Sequence, residues 1–219
     1  MTLSSQGEGP AVGLRERKKV RTRAAIQQHA LRLFREQGYD GTTVQEIADA
    51  AEVSESTLFR YFPTKEDLVL WDEFDPLLIE AFRAQPPELS PIQALRASFR
   101  AVFDGLTAEQ WAEQRDRVDL ILSVPDVRAA MLEQYVGTIQ QVAGLVAERV
   151  GRSPDDFEIR NLAGAVIGVS MATLLAAGAD RSADWVGLMD GAFAHLEAGL
   201  PVREGGRARR GDRTARIED

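Results

Sequence analysis

Residues 43–61 read TVQEIADAAEVSESTLFRY, and the spacing inside this run decides the fold. Thr43 followed three residues later by Glu46 is a capping-box pattern and predicts a short helix to about Ala51. Ser54 is a second N-cap, opening another short helix through Tyr61. Ile47, Ala48 and Ala51 fall on the inward face, Val53 lies in the tight turn, and Leu58 and Phe62 anchor the second helix. Small residues at a crossing let two short helices pack at the steep angle of a helix-turn-helix. The outward face of the second helix is then Glu55, Ser56, Thr57, Arg60 and Tyr61. These are short or planar polar groups at the end where such a helix meets base edges.

Working outward, the charge is divided along the chain. The formal net charge is −8, yet residues 15–65 hold 10 Lys/Arg against 7 Asp/Glu, and residues 66–200 hold 10 against 22. Arg15, Arg17, Lys18, Lys19, Arg21 and Arg23 fall within nine residues just ahead of the short helices. A basic cluster beside an acidic body is the asymmetry of a nucleic-acid module on a larger domain, although such a run taken alone reads more readily as a solvated leader.

The rest of the chain carries helix signals and no convincing strand pattern. The stripe Ile26, Ala30, Leu33, Phe34 predicts a first helix from about Arg15 to Gln37, stopped at Gly38. Thr64 with Asp67 opens a longer helix carrying Leu68, Trp71, Leu78 and Phe82, which Pro76 must kink or end. Ser90-Pro91, Thr107 with Gln110, and Ser153-Pro154-Asp155-Asp156 are further starts. About nine helices are expected. Residues 1–14 and 201–219 read as a disordered leader and tail. Residues 15–64 read as the helix-turn-helix domain and 65–200 as a second, larger helical domain.

Composition excludes several functions. Zero Cys removes disulfides, thiolate metal sites and Cys nucleophiles together, and fits a cytosolic address. The only histidines are His29 and His195, too few for a metal site, and no cofactor is expected. Gly168-Val169-Ser170-Met171-Ala172 matches a relaxed nucleophile-elbow pattern. That motif needs a strand-to-helix turn, whereas this one sits mid-helix, so no enzyme is expected. The apolar run Leu162–Ala179 is broken by Gly164, Gly168, Ser170 and Thr173 and reads as a buried helix rather than a membrane span.

The run Gly38-Tyr39, Thr42 to Ala48, Ala51, Val53-Ser54, Thr57 to Glu66 and Leu68 strongly resembles the TetR family of regulators, over roughly residues 18–70. The resemblance implies an all-α, nine-helix homodimer with three N-terminal DNA-binding helices and a ligand-binding and dimerisation domain. The last two helices of that domain would pair with the partner's in a four-helix bundle. The family's DNA-contacting positions fall on Thr43, Gln45, Ser56, Thr57, Tyr61 and Lys65. Thr43, Tyr61, Lys65 and the leader residues Lys18, Lys19 and Arg21 are then expected at phosphate, setting register. Gln45, Ser56, Thr57 and Glu55 are the candidates for base edges, and Arg60 suits either purpose or solvent. Glu55 accepts from cytosine N4 or serves as an exposed partner of the helix dipole, and both readings stay open.

Two further expectations complete the reading. Gly164, Gly168, Ala172 and Ala176 form a small-residue ridge and, with Trp185, Met189 and Phe193 on the last helix, mark the expected dimer seam. Most large apolar residues of the middle helices must be core. Trp71, Phe74, Leu78, Phe99, Phe103, Trp111, Ile121, Met131 and Tyr135 are candidates for a pocket between helices. The stretch from Arg115 to Leu132 resembles the C-terminal domain of mycofactocin-type TetR regulators. It implies an acyl-CoA-like or other hydrophobic effector, with Arg115 or Arg117 at its anionic end, although surface or interhelix salt bridges are the readier use of both arginines. The whole then reads as a ligand-responsive repressor acting as a homodimer on a near-palindromic operator. A helical protein–protein adaptor, with the basic leader as mere surface, is the competing reading.

Overall fold

The computed structural model describes residues 14–180 and 183–202, and within them every regular element is a helix. The leader and tail expected to be disordered lie almost wholly outside the described residues. Ten helices follow in order: α1 Leu14–Gln37, α2 Val44–Ala50, α3 Glu55–Tyr61, α4 Asp67–Leu70, α5 Asp75–Arg83, α6 Pro91–Phe103, α7 Ala108–Ser123, α8 Pro125–Val150, α9 Phe157–Ala179 and α10 Trp185–Glu197.

The capping residues set most of these bounds. Thr43, Ser90 and Thr107 each accept from the backbone N–H of the third helical residue, whose Glu or Gln side chain answers to the cap's own N–H. Orphan donors at three helix starts are thereby satisfied in pairs. Gly151 stops α8 in the left-handed conformation, at φ 67°.

One expected helix is two. The segment opening at Thr64 breaks after Leu70, before Pro76 is reached, and resumes at Asp75 with the proline in its first turn. Proline has no N–H to give and is tolerated there. The free carbonyls at the end of α4 are taken by side chains instead. Gln27 of α1 donates to Leu68 O at 3.1 Å and to Trp71 O at 2.6 Å, and Arg117 of α7 donates to Trp71 O at 3.1 Å.

Two cores result. The first gathers Ile26, Leu33 and Phe34 of α1, Ile47, Leu58 and Phe62 of the short helices, and Leu68 and Val69 of α4. It extends into the larger domain through Ile121 of α7 and Val127 of α8, so the N-terminal unit is seated on α7 and α8 by shared apolar packing. The second core holds Phe74, Phe99, Phe103, Val166, Met189, Phe193 and Leu196. Its rings form a chain, Phe99 on Phe103 at 4.4 Å and Phe74 on Phe103 at 5.2 Å. Arg96 and Arg100 of α6 clasp Asp190 of α10 across its edge, at 3.0 and 2.8 Å.

The reading of α9 as a buried helix needs correcting. It is long and apolar enough to cross a membrane, with mean hydropathy 1.6 over Phe157–Gly178, and only 17% of its most apolar stretch is buried. α8 and α10 pack on one side of it, and the other side is open.

Candidate nucleic-acid interface and ligand cavity

The turn between α2 and α3 is a Schellman motif. Val53 N–H donates to Ala48 O at 3.0 Å and Glu52 N–H to Asp49 O at 3.1 Å. Glu52 takes the left-handed position, at φ 52°, where glycine is usual. This turn presents α3 outward.

Glu55, Ser56 and Arg60 are exposed and Thr57 and Tyr61 half-buried, while Leu58 is fully buried beneath them. The polar face thus rides on a core anchor. Ser54 Oγ lies 3.0 Å from both Ser56 Oγ and Thr57 Oγ1, and Arg60 stacks on Tyr61 at 5.4 Å. Gln45 is exposed on α2 with its amide donating to Asp49 at 2.9 Å. Thr43 is exposed, but its hydroxyl donates to Glu46 at 2.8 Å inside the capping box, which also holds the Glu46 carboxyl below its ordinary pKa. Lys18, Lys19 and Arg21 are exposed on the first turns of α1.

Lys65 differs from the expected free phosphate ligand. Its ammonium donates to Tyr39 O at 2.5 Å and lies over the Tyr39 ring at 4.2 Å. It is half-buried, with its charge at the junction of α1 and α4. Tyr39 O–H in turn donates to Glu66 at 2.9 Å, and burial followed by that bond pushes the phenol well above its usual range.

A cavity of about 670 Å³ opens among α4, α7, α8, α9 and the start of α10. Of the residues expected to line it, Phe103, Trp111, Arg117, Ile121, Met131 and Tyr135 do, and Arg115 stands at its rim. Trp185, expected at the dimer seam, also lines it. Phe74, Leu78 and Phe99 do not: their side chains fill the second core, where the aromatic stack uses them up. Trp71 lines a second cavity, about 570 Å³, between α1 and α7.

Asp72, Gln114, Arg117 and Asp119 belong to both cavities and so form the wall between them. All three guanidinium nitrogens of Arg117 are engaged: Nε with Gln114 at 3.2 Å, Nη1 with Trp71 O, and Nη2 with Asp72 and Gln114. Of the two uses expected for Arg117, an interhelix salt bridge or the anionic end of a ligand, the structure has the salt bridge. Arg117 is a buried structural cation paired with Asp72. Sequence reasoning missed Gln27 and counted Arg23 only in the basic cluster. Arg23 lies over the rings of Phe62 and Trp71 at 5.0 and 4.9 Å, tying α1 to the base of α3.

The expected dimer seam is also revised. Met189 and Phe193 are 4% and 5% exposed within one chain and pack in its own core, leaving almost nothing for a partner to cover. The open side of α9 and α10 instead carries Gly168, Ala172 and Ala176, with Gly164 half-buried. Phe157, Leu175 and Leu188 flank them, 74%, 53% and 40% exposed.

Comparison with known proteins agrees with this architecture. The family model described as bacterial regulatory proteins, tetR family, matches residues 26–70, and that described as the MftR C-terminal domain matches residues 89–201. The HTH-type transcriptional regulator TcmR of Streptomyces glaucescens is 36% identical over 162 residues, covering 71% of this chain and 72% of its own. RutR of Escherichia coli K12 is 35% identical over 148 residues, 65% of this chain and 68% of its own. The FadR repressor of Thermus thermophilus, solved in complex with lauroyl-CoA, superposes with a TM-score of 0.51 at 27% identity, covering 84% of this chain and 97% of its own. The exposed helix-turn-helix on a helical second domain is therefore that of a DNA-binding transcriptional regulator, and the chain belongs to the TetR family.

Proposed function

We propose that this protein is a ligand-responsive repressor that binds a near-palindromic operator as a homodimer. One observation carries the coupling: the carbonyl of Trp71, at the end of α4, is held at once by Gln27 from the N-terminal unit and by Arg117 from the cavity wall. Whatever displaces Arg117 loosens the end of the helix that begins five residues after Phe62, the C-cap of α3. Ligand in the cavity thus acts on the spacing of two recognition helices, and needs only different affinities for the two spacings.

In this reading Gln45, Ser56, Thr57 and Glu55 face base edges. Lys18, Lys19, Arg21, Tyr61 and Thr43 meet phosphate, and Arg60 serves either. Lys65 acts mainly by holding α4 against Tyr39, with its remaining N–H groups turned to phosphate.

The partner is a second copy, seated on the open face of α9 and α10. The support is the combination of a small-residue ridge, which lets helix axes approach, with large exposed apolar residues beside it. The same apolarity satisfies a membrane span by composition alone. However, α9 is packed on one side by α8 and α10, which leaves a one-sided face suited to another helix pair.

The effector has an apolar body, since Ile121, Met131, Leu174 and Val186 line the cavity beside four aromatic rings. A fatty-acyl chain fits such a wall, and lauroyl-CoA is the ligand in the T. thermophilus FadR structure. The test is selection of genomic fragments by the full chain, then titration of the selected site at ~100 mM salt with and without candidate ligands. Specific binding relieved by an apolar ligand is expected. A ligand that binds tightly and leaves operator affinity unchanged contradicts the coupling.

A further inference from the structure

The charge of the larger cavity restricts what it holds. Its described lining carries six aspartates, Asp72, Asp75, Asp104, Asp119, Asp180 and Asp184, against two arginines. Arg117 is bound by Asp72, Gln114 and the Trp71 carbonyl, and Arg115 is the other arginine of the described lining. Asp184 caps α10, accepting from Gly187 N–H at 3.0 Å, and Asp119 and Asp180 have partners within the protein. The Asp75 carboxyl has neither a hydrogen-bonded nor an ion-paired partner among the described residues, its backbone N–H alone donating to Asp72 O. Although much of this residue is open at the cavity mouth, burial of the carboxyl and then the nearby Asp72 push its pKa up to about 6, against the pull of Arg117. No three of these carboxylates converge as metal ligands, so the negative charge is spread over the wall.

The other wall is aromatic: Phe103, Trp111, Tyr135 and Trp185 line the same space. Ring faces and carboxylates attract the same class of ligand, a cation on an apolar body. An anion entering here would leave water only to meet like charge.

We propose, resting on the reading of this cavity as the effector site, that the effector is an amphipathic organic cation whose charged head sits at the Asp72–Asp75 corner and whose apolar body lies on the aromatic wall. The head then competes with Arg117 for Asp72. Arg117 loses its carboxylate, its hold on the Trp71 carbonyl weakens, and the end of α4 is freed. Charge class and induction are the same event in this scheme, because a neutral or anionic ligand has nothing to offer Asp72.

Four probes of one chain length separate the possibilities: decyltrimethylammonium, decanol, decanoate and decanoyl-CoA. Each is titrated into the full-length protein by calorimetry, well below micelle-forming concentrations. The cation is expected to bind at least about tenfold more tightly than decanol, and decanoate more weakly than decanol. Asp75→Asn is expected to narrow the cation-to-alcohol ratio to about threefold or less while leaving decanol affinity unchanged. Asp75→Ser serves as a second variant where the first fails to fold, with the same narrowing expected. Equal binding of cation and alcohol, or tighter binding of either anion, overturns the proposal and leaves the effector cavity standing. Binding of none of the four to folded protein overturns the proposal together with the cavity reading.

Discussion

Gln27 and Arg117 donate to the same carbonyl oxygen, that of Trp71, from opposite sides of the joint between the two domains. The distances are 2.6 and 3.1 Å, and Gln27 spends its amide on Leu68 O as well. Removing this amide leaves the buried Leu68 carbonyl without its donor while Trp71 O keeps Arg117, and one such orphaned group costs about 1–3 kcal/mol. Gln27→Leu is therefore expected to lower the unfolding free energy by that amount. A purely structural role ends there. The coupling role predicts in addition that ligand affinity is unchanged while the ligand's effect on operator affinity shrinks several-fold, measured by anisotropy with and without ligand.

Glu52 holds a left-handed backbone position at φ 52°. A non-glycine residue there costs roughly 1 kcal/mol, part of which glycine returns through its greater freedom in the unfolded chain. Glu52→Gly should raise stability by about 0.5 kcal/mol, read from the denaturation midpoint at unchanged slope, and preserve the Schellman turn. A loss of stability would mean that the Glu52 side chain contributes something the backbone does not.

Asp75 supplies a pH test. Its folded pKa of about 6 stands above the ordinary 3.8, so between those values the native state binds more protons than the unfolded one, and stability falls as pH rises through that window. Asp72, Glu73 and Arg117 are the charged groups nearby, and only Arg117 opposes the shift. The open side of the residue screens part of the cost. Asp75→Asn should raise the ligand-free thermal midpoint by about 1–2 °C at pH 8 and leave it unchanged below pH 4. The same shift at both pH values would remove the carboxylate's charge as its cause.

Much of this architecture was legible in the sequence because its signals are local. Thr43, Ser90 and Thr107 announce their helices through residues three positions on, and Ser54 and Gly151 act within a turn. What escaped was set by residues distant in the chain. The break after Leu70 depends on Gln27 and Arg117, neither of them within 40 positions of Trp71. Lys65 carried the pattern of a phosphate ligand, but the Tyr39 carbonyl 26 residues earlier claims its ammonium. α10 is apolar on several sides, so its spacing alone did not reveal that Met189 and Phe193 turn toward α6 and leave Leu188 outward. Phe74 and Phe99 likewise looked no different from Phe103 until the ring stack placed only the last at the cavity.

The open face of α9 makes its own prediction. Leu175 is half exposed on that face. Leu175→Glu should yield a folded monomer by sedimentation, with operator affinity reduced at least about tenfold through the loss of two-site engagement. A dimer of unchanged affinity would move the partner surface elsewhere.

The central claim is that the outer face of α3, with Gln45, reads operator DNA in a twofold dimer. The most direct measurement is affinity for the selected genomic site and for scrambled DNA, at ~100 mM salt, for the wild type and a Gln45→Ala, Ser56→Ala double variant. The expected wild-type site is a near-palindrome with half-sites about one helical turn apart or a multiple of it. The wild type should prefer that site by at least about 10³-fold, and the double variant should lose most of the preference while binding scrambled DNA as before. A folded wild-type dimer with no sequence preference, or a double variant that keeps it, would contradict the account.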